Sequence, residues 1–321
     1  MTYHLFTCLL IALGLALQPA AQAQPDSYPG EEVVLPTETG DLHGTLLVPL
    51  TETPPPVVFI HPGSGPTDRD GNNPQMQNNS LKLLAEALYD AGIASLRIDK
   101  RGIAGSQGAA PEGESKLTFD TYVNDAAAWL AWLRDHEGLD EVIALGHSEG
   151  SLVTMVAAQQ TKLNGYISLA GAGRPADQVL RSQLAAQGPQ VTAMTDPILD
   201  SLVAGKTVAD VNPMLASLFR PSVQPYLISW FQYDPAEAIA QLDVPVLLIN
   251  GTTDIQVPTS EAELLAEAQP NAELVIVEGM NHILKEAPAD RMANIATYSK
   301  PNLPLVPALT ETMVSFVQKI E

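Results

Sequence analysis

The stretch that decides the fold reads VIALGHSEGSLVTMVAA and covers residues 142–158. Its first four residues are apolar, which predicts a short buried strand, and a helix is predicted to continue to about residue 156. Between them lies a G-x-S-x-G turn at 146–150. Side chains in place of its glycines would clash in so tight a strand-to-helix crossing. The turn therefore predicts that the hydroxyl of Ser148 projects at the top of a sheet, as a nucleophile.

The surroundings of this turn predict the rest of the sheet. From residue 31 onward, short apolar runs alternate with patterns of helical spacing, among them a long amphipathic helix near 122–133 and a final helix near 309–320. This alternation predicts the α/β class, with a mostly parallel sheet and helices on both faces. Ligands bind such sheets at the carboxyl ends of the strands. Further strands are predicted at 33–35, 46–48, 57–60, 94–98, 166–169, 246–249 and 274–277.

A serine nucleophile needs a base and an acid beside it. His282 is the only histidine after Ser148, and it follows the predicted strand 274–277. Asp254 follows the strand 246–249, whereas Asp243 precedes that strand and so belongs to the opposite edge. The order Ser, Asp, His is typical of one class of serine hydrolases. We therefore predict a triad of Ser148, Asp254 and His282, with turn capping as the alternative role of Asp254.

Two backbone N–H groups must bind the oxyanion that forms when such a serine attacks a carbonyl group. One is predicted to be the N–H of Glu149, directly after the nucleophile. The other is expected in the loop after strand 57–60, where Pro62 has no N–H to donate. Gly63 or Ser64 remains, and Gly63 is favoured.

The rest of this loop is long and polar. We expect the ring of His61 to tie the loop down rather than to perform chemistry. The Asp-Arg-Asp run at 68–70 has two interpretations, a loop held by internal ion pairs or a clamp for substrate. The first is the more common use of such a run.

A helical segment interrupts the alternation of strands and helices. Residues 174–242 contain no convincing strand, and breaks are predicted at 188–189, Pro197, Pro213 and Pro221. Five aromatic residues fall within 219–233. We interpret the segment as a cap over the active site, whose underside can form an acyl pocket. The predicted organisation is a signal peptide at 1–23, a core at 24–173, the cap at 174–242 and a second part of the core at 243–321.

The amino terminus has the pattern of an export signal. An apolar run at 5–17 is followed by a small-x-small site, which predicts cleavage after Ala23 and a secreted or periplasmic protein. The run is shorter than the roughly 20 residues that span a bilayer, although an uncleaved anchor is the alternative. Cleavage would remove Cys8, the single cysteine, and with it any Cys-ligated metal site or cysteine nucleophile.

The charge excludes some classes of partner. The net charge is −21, and residues 1–23 contribute no acidic or basic side chain to it. A surface this acidic repels nucleic acid and anionic membranes. We expect a small neutral substrate, no nucleic acid and no stable membrane association after cleavage.

With these motifs in place, the chain resembles the α/β-hydrolase superfamily over nearly all of its mature length. The matching motifs occur in the family's order at 61–65, 99–102, 105–106, 146–150, 251–254 and 281–282. The string GSGPTDRDGN at 63–72 is similar to that of a narrower group of bacterial carboxylesterases, the EstD and Est10 types, which are related to dienelactone-hydrolase-like enzymes. The chain departs from common lipase patterns in its His-Pro-Gly loop and in having Glu149.

The resemblance implies hydrolysis of short- to medium-chain acyl esters without a cofactor or metal. An exported serine peptidase or amidase with the same triad is one alternative, and a thioesterase is another. A non-catalytic binding module on the same fold is a third, although all three triad positions are filled.

Overall fold

The fold is built on one eight-stranded sheet in the computed structural model, which describes residues 28–139 and 141–320. The strand order is β1-β2-β4-β3-β5-β6-β7-β8. The first two strands form an antiparallel hairpin that pairs antiparallel with β4, and every later pair is parallel. The strands are β1 (Glu31–Thr37), β2 (Gly40–Leu47), β3 (Val57–His61), β4 (Ala94–Ile98), β5 (Val142–His147), β6 (Gly165–Leu169), β7 (Val246–Gly251) and β8 (Glu273–Val277).

Helices cover both faces of this sheet. Successive side chains of a strand point to opposite faces, and β3 shows the result. Val57 and Phe59 pack in the core cluster on the side of α2 and α3, whereas Val58 and Ile60 pack with α1 and α11. The helices are α1 (Ser80–Asp90), α2 (Phe119–Arg134), α3 (Glu149–Ala158), α4 (Ala176–Ala185), α5 (Pro189–Val203), α6 (Ala216–Phe219), α7 (Gln224–Trp230), α8 (Pro235–Ile239), α9 (Thr259–Ala268), α10 (Arg291–Ile295) and α11 (Pro307–Val317).

The predicted fold class is confirmed. Each predicted strand lies in or overlaps a strand of the sheet. All residues of the central strands β3 and β5 are buried, as expected where helices cover both faces of a parallel sheet. The carboxyl ends of these strands lie at one edge, and the predicted site residues follow them in the chain.

Five helices, α4 to α8, lie between β6 and β7 and form the cap region. Aromatic side chains of the cap region pack against the core. Phe119 of α2 stacks on Trp230 of α7, with ring centroids 6.0 Å apart. The break predicted at Pro197 is wrong, since Pro197 lies inside α5. A proline removes one backbone hydrogen bond, and here the buried side chains Ile198, Leu199 and Leu202 hold the following turn in place. The domain boundaries at 173/174 and 242/243 stay predictions.

The predicted signal peptide, 1–23, lies outside the described residues, and so do its cleavage site and Cys8. Within residues 28–139 and 141–320, no helix is both long and apolar enough to cross a membrane.

Candidate active site

Ser148 occupies a strained turn between β5 and α3. Its backbone angles are φ 56° and ψ −122°, in a region that side chains disfavour, and its N–H donates to the carbonyl of Leu169 at 2.9 Å. The two glycines of the turn make this geometry feasible. A Cβ on Gly146 would lie 2.1 Å from the carbonyl oxygen of Gly150, and one on Gly150 would lie 2.6 Å from that of Pro62. The strand and the helix therefore cross closely enough to expose the serine.

Asp254 and His282 form a hydrogen-bonded pair. Oδ2 of Asp254 lies 2.7 Å from Nδ1 of His282, while its Oδ1 accepts the N–H groups of Gln256 and Val257 at 2.8 and 2.9 Å. Burial alone would raise the pKa of Asp254, but the charge of His282 and these hydrogen bonds outweigh it and hold the pKa below its usual value. An ionised carboxylate at Nδ1 keeps the proton on that nitrogen, so Nε2 can accept another.

Ser148 and His282 line one cavity of about 240 Å³, which we call the small cavity. The structure thus brings the predicted nucleophile and base together at the carboxyl edge of the sheet, with Asp254 behind His282. Asp243 precedes β7 in the chain and is exposed. It therefore belongs to the opposite edge of the sheet.

His147 connects the nucleophile turn to the loop that carries His282. Its Nε2 lies 2.8 Å from the carbonyl oxygen of His282, so this nitrogen donates the hydrogen bond. Burial and the neighbouring His282 charge lower the pKa of His147 to about 3, which keeps the ring neutral. His147 was not among the site residues predicted from the sequence. Its position beside Ser148 in the turn was the available signal.

The loop after β3 lies against the nucleophile. A Cβ on Gly63 would stand 3.1 Å from Cβ of Ser148. The carbonyl oxygens of Gly63 and Gly65 both accept hydrogen bonds from Nζ of Lys100, at 2.5 and 2.8 Å. Lys100 therefore holds two carbonyl groups of the loop that carries the predicted oxyanion donors Gly63 and Ser64.

Lys100 and Glu149 are two buried groups of opposite charge that interact electrostatically near this loop. Nζ of Lys100 lies 5.3 Å from the ring centre of Tyr122, and burial lowers the pKa of Lys100 although Glu149 acts against this shift. Burial raises the pKa of Glu149, whose Oε1 accepts the hydroxyl of Tyr226 at 2.8 Å. Because Tyr226 belongs to α7, this cluster joins the loop, the nucleophile turn and the cap. The position of Lys100 under this loop was not predicted from the sequence, although Lys100 directly follows β4 within a family motif. Tyr226 is one of the five cap aromatics considered for an acyl pocket, and it does line the cavity beneath the cap, but its bond to Glu149 was not predicted.

The Asp-Arg-Asp run at 68–70 is engaged within the protein. Arg69 pairs with Asp99 and Glu32, with both N–O distances 2.6 Å, and Arg97 pairs with Asp70. The geometry favours the interpretation of a loop held by internal ion pairs. His61 likewise donates from Nδ1 to the carbonyl of Pro62 at 2.9 Å, and burial lowers its pKa to about 3.

A second, large cavity of about 500 Å³ extends from Ser148 beneath the cap. Its wall includes the buried or half-buried apolar side chains of Leu152, Val179, Leu180 and Leu227. As for metals, no cluster of three or more His, Cys, Asp or Glu side chains suited to an ion occurs in the described part of the chain.

The chain is similar in sequence to known hydrolases. Residues 57–295 match the model of the alpha/beta hydrolase family. Esterase EstD of Thermotoga maritima is 26% identical over 274 residues, which are 81% of this chain and 61% of that protein. The chain thus spans about three-fifths of the length of this relative. The putative carbamate hydrolase RutD of Azorhizobium caulinodans is 25% identical over 52% of this chain and 69% of its own length.

Solved structures show the same architecture. Est1E from Butyrivibrio proteoclasticus, with ferulic acid bound, superposes with a TM-score of 0.61 at 18% identity and covers 89% of this chain and 99% of its own. A thermophilic esterase from Thermogutta terrifontis gives 0.55 at 18% identity, with coverage of 90% and 99%. At these identities the similarity establishes the fold alone.

Proposed function

The chain belongs to the alpha/beta hydrolase family, as its motifs predicted, and from this premise we propose that it is a serine carboxylesterase. The proposed substrates are short- to medium-chain acyl esters, cleaved through an acyl-enzyme on Ser148. The observation that carries the proposal is the 2.7 Å hydrogen bond between Asp254 and His282, at a cavity that both His282 and the strained Ser148 line. A serine beside an imidazole that is oriented by a carboxylate is the arrangement of an activated nucleophile.

In the first half of the reaction, Oγ of Ser148 attacks the ester carbonyl carbon while Nε2 of His282 takes the hydroxyl proton. A C–O bond forms, and the carbonyl electrons move to the oxygen, which becomes an oxyanion. The backbone N–H groups of Gly63 and Glu149 are the proposed donors to that oxyanion, supported by the contact of Gly63 with Ser148.

In the second half, the bond to the alcohol oxygen breaks and the protonated His282 returns its proton to that oxygen. Water then attacks the acyl-enzyme, and His282 takes one proton from it. Collapse of the second intermediate returns this proton to Oγ of Ser148 and releases the carboxylic acid. Ester and water supply every atom that is consumed, so the proposal includes no cofactor.

The large cavity supports a neutral acyl chain. Two arginines border it, and each is already paired with a carboxylate. Nε of Arg174 lies 2.8 Å from Glu261, and Nε of Arg220 lies 2.9 Å from Glu114. An acyl chain therefore meets apolar side chains and compensated charges there, which favours alkyl esters over anionic substrates.

The alternatives differ in the bond that is cleaved. A serine amidase or peptidase uses the same triad, and the similarity to a putative carbamate hydrolase makes C–N bonds a necessary control. A thioesterase acting on acyl-CoA would have to draw a polyanionic substrate to a protein of net charge −21. Turnover of matched p-nitrophenyl ester, p-nitroanilide and acyl-CoA substrates separates these cases. We expect the ester to be cleaved fastest.

The decisive experiment combines labelling with kinetics. A fluorophosphonate probe is expected to label the purified protein, and Ser148→Ala to abolish labelling and reduce kcat for p-nitrophenyl butyrate by on the order of 10⁴-fold or more. Ser201→Ala is the matched control, because the Ser201 hydroxyl in α5 donates to the carbonyl of Pro197 and lines neither cavity. Substantial turnover by a folded Ser148→Ala protein would refute the mechanism.

A further inference from the structure

The large and the small cavity both border Ser148, but only one of them borders the proposed base, His282. Ser148, Ser64, Gly65 and Gln256 are among the residues that line both cavities. His282 lines only the small cavity. An ester bound at Ser148 therefore has two directions in which its two halves can extend, and His282 distinguishes them.

The chemistry of the proposed function assigns the two halves. The leaving alcohol oxygen must receive its proton from Nε2 of His282, so it has to lie on the side of that ring. The acyl chain, bonded to the same carbonyl carbon, then extends in the other direction, past Glu149 and beneath the cap. On this basis, which rests on the proposed esterase function, the small cavity holds the alcohol.

The wall of the small cavity combines apolar side chains, such as those of Met76 and Ile283, with polar side chains that have unused hydrogen-bond donors. Within the described residues, the Ser80 hydroxyl has no hydrogen-bond partner, and neither has the amide nitrogen of the Asn73 side chain. The Tyr298 hydroxyl accepts from Gln256 at 3.1 Å but donates to no described residue. Burial raises the pKa of Tyr298 to about 12, so its proton is present at neutral pH.

Both cavities have polar and apolar side chains in their walls. The small cavity is the one that carries the free donors of Asn73, Ser80 and Tyr298 on the side of His282. A donor that stays unpaired in the complex weakens binding, so the small cavity favours a ligand that carries oxygen acceptors. We propose that the small cavity is a subsite for a compact hydroxylated alcohol, of the kind found in glycerol or a monosaccharide, esterified with an apolar acyl chain.

The first test keeps the acyl group constant and changes the alcohol. Butyrate esters of glycerol (1-monobutyrin), n-propanol and cyclohexylmethanol are compared by kcat/KM. The glycerol ester is expected to exceed the n-propyl ester by about tenfold, as one or two additional hydrogen bonds would give. Equal values, or a preference for either hydrocarbon alcohol, would overturn the proposal.

The second test checks the direction in which the ester binds. Methyl octanoate and heptyl acetate are isomers that place the same long chain on opposite sides of the ester group. Because the roughly 500 Å³ cavity is assigned to the acyl chain, methyl octanoate is expected to be the better substrate. A preference for heptyl acetate would show that the assignment of the two cavities is reversed.

The third test removes the donors. Tyr298→Phe and Ser80→Ala are each expected to lower kcat/KM for 1-monobutyrin about fivefold more than for n-propyl butyrate. Tyr233→Phe is the matched control, because Tyr233 bonds to Asp120 and lines neither cavity. If Tyr298→Phe lowers stability, Ser80→Ala provides an independent reading.

The outcomes separate this inference from the proposed function. If the protein cleaves no ester and resists the fluorophosphonate probe, the esterase proposal fails and the subsite fails with it. If it cleaves all three butyrates but both donor variants affect them equally, the esterase proposal stands and the alcohol subsite is wrong.

Discussion

The buried ammonium group of Lys100 donates a hydrogen bond to the carbonyl oxygen of Gly63 at 2.5 Å, directly beside the nucleophile. A second bond to Gly65 fixes the same loop, and the opposing charge of Glu149 lies within electrostatic reach. The Gly63 carbonyl shares its peptide plane with the N–H of Ser64, the alternative oxyanion donor, so Lys100 fixes the orientation of that N–H directly and that of the Gly63 N–H through the loop. Lys100 is therefore a positioning residue for the loop that carries the proposed oxyanion donors.

Replacement of Lys100 by Met should lower kcat by about 10²-fold with a much smaller change in KM, because a displaced oxyanion donor affects the transition state most. Steady-state kinetics with p-nitrophenyl butyrate measures this split. Lys82→Met, on the exposed face of α1, is the control. Unchanged kcat in a folded Lys100→Met protein would exclude the role.

Because β5 and α3 cross closely, Gly146→Ala is expected to lower the unfolding free energy far more than Gly108→Ala. In Gly146→Ala, the new methyl group would meet the backbone of Gly150, which cannot yield as a side chain can. We expect a loss of at least about 3 kcal/mol in unfolding free energy. Gly108→Ala adds its methyl group where no atom lies within 4 Å, and a change within about 0.5 kcal/mol is expected. Urea denaturation measures both, and equal effects would contradict the crossing geometry.

Asp254→Asn tests whether the carboxylate orients the imidazole. An amide at this position can donate to Nδ1, which favours the tautomer with its proton on Nε2 and removes the base. A fall in kcat of about 10⁴-fold is expected, with the fold retained by circular dichroism. Asp243→Asn, at the opposite edge of the sheet, is expected to retain wild-type kcat. Comparable losses in both variants would point to a general effect of charge removal.

The lowered pKa of Asp254 also predicts how stability depends on pH. The unfolded chain takes up this proton near the usual value of 3.8, whereas the folded chain binds it only at lower pH. The stabilisation is therefore complete above the unfolded pKa and is lost as the pH falls through the folded one. The unfolding free energy of the wild type, measured relative to Asp254→Asn, should fall as the pH drops below 3.8 and through the lowered pKa of the folded state. A constant difference over that range would be inconsistent with the shift.

Much of the site could be predicted from the sequence because its information is local. The turn around Ser148 requires two glycines between an apolar strand and a helix, and both requirements are visible in 142–158. His282 and Asp254 directly follow predicted strands, and parallel strands bring their carboxyl ends to one edge. The proposed base could be predicted by elimination, since His282 is the only histidine that follows Ser148 in the sequence.

The remaining residues could not be predicted because their roles depend on contacts between distant segments. Lys100 looks like a surface lysine until β4 is placed beside β3, where it lies under the loop of Gly63. Tyr226 is one of several aromatics in a helical segment, and only the packing of α7 brings its hydroxyl to Glu149. Pro197 illustrates the converse, because packing kept a helix intact where local propensity predicted its end.

For this protein, then, the sequence by itself determined the class of fold and predicted Ser148 as the nucleophile with Asp254 and His282 as its partners, because strand periodicity and turn stereochemistry act over a few residues. Only the tertiary structure decided which groups surround Ser148. The buried Lys100 and Glu149, the neutral His147 and the two cavities that border Ser148 arise where segments far apart in the chain pack together. Burial and hydrogen bonding in such a place are properties of the packed molecule, and the sequence specifies them only through the fold.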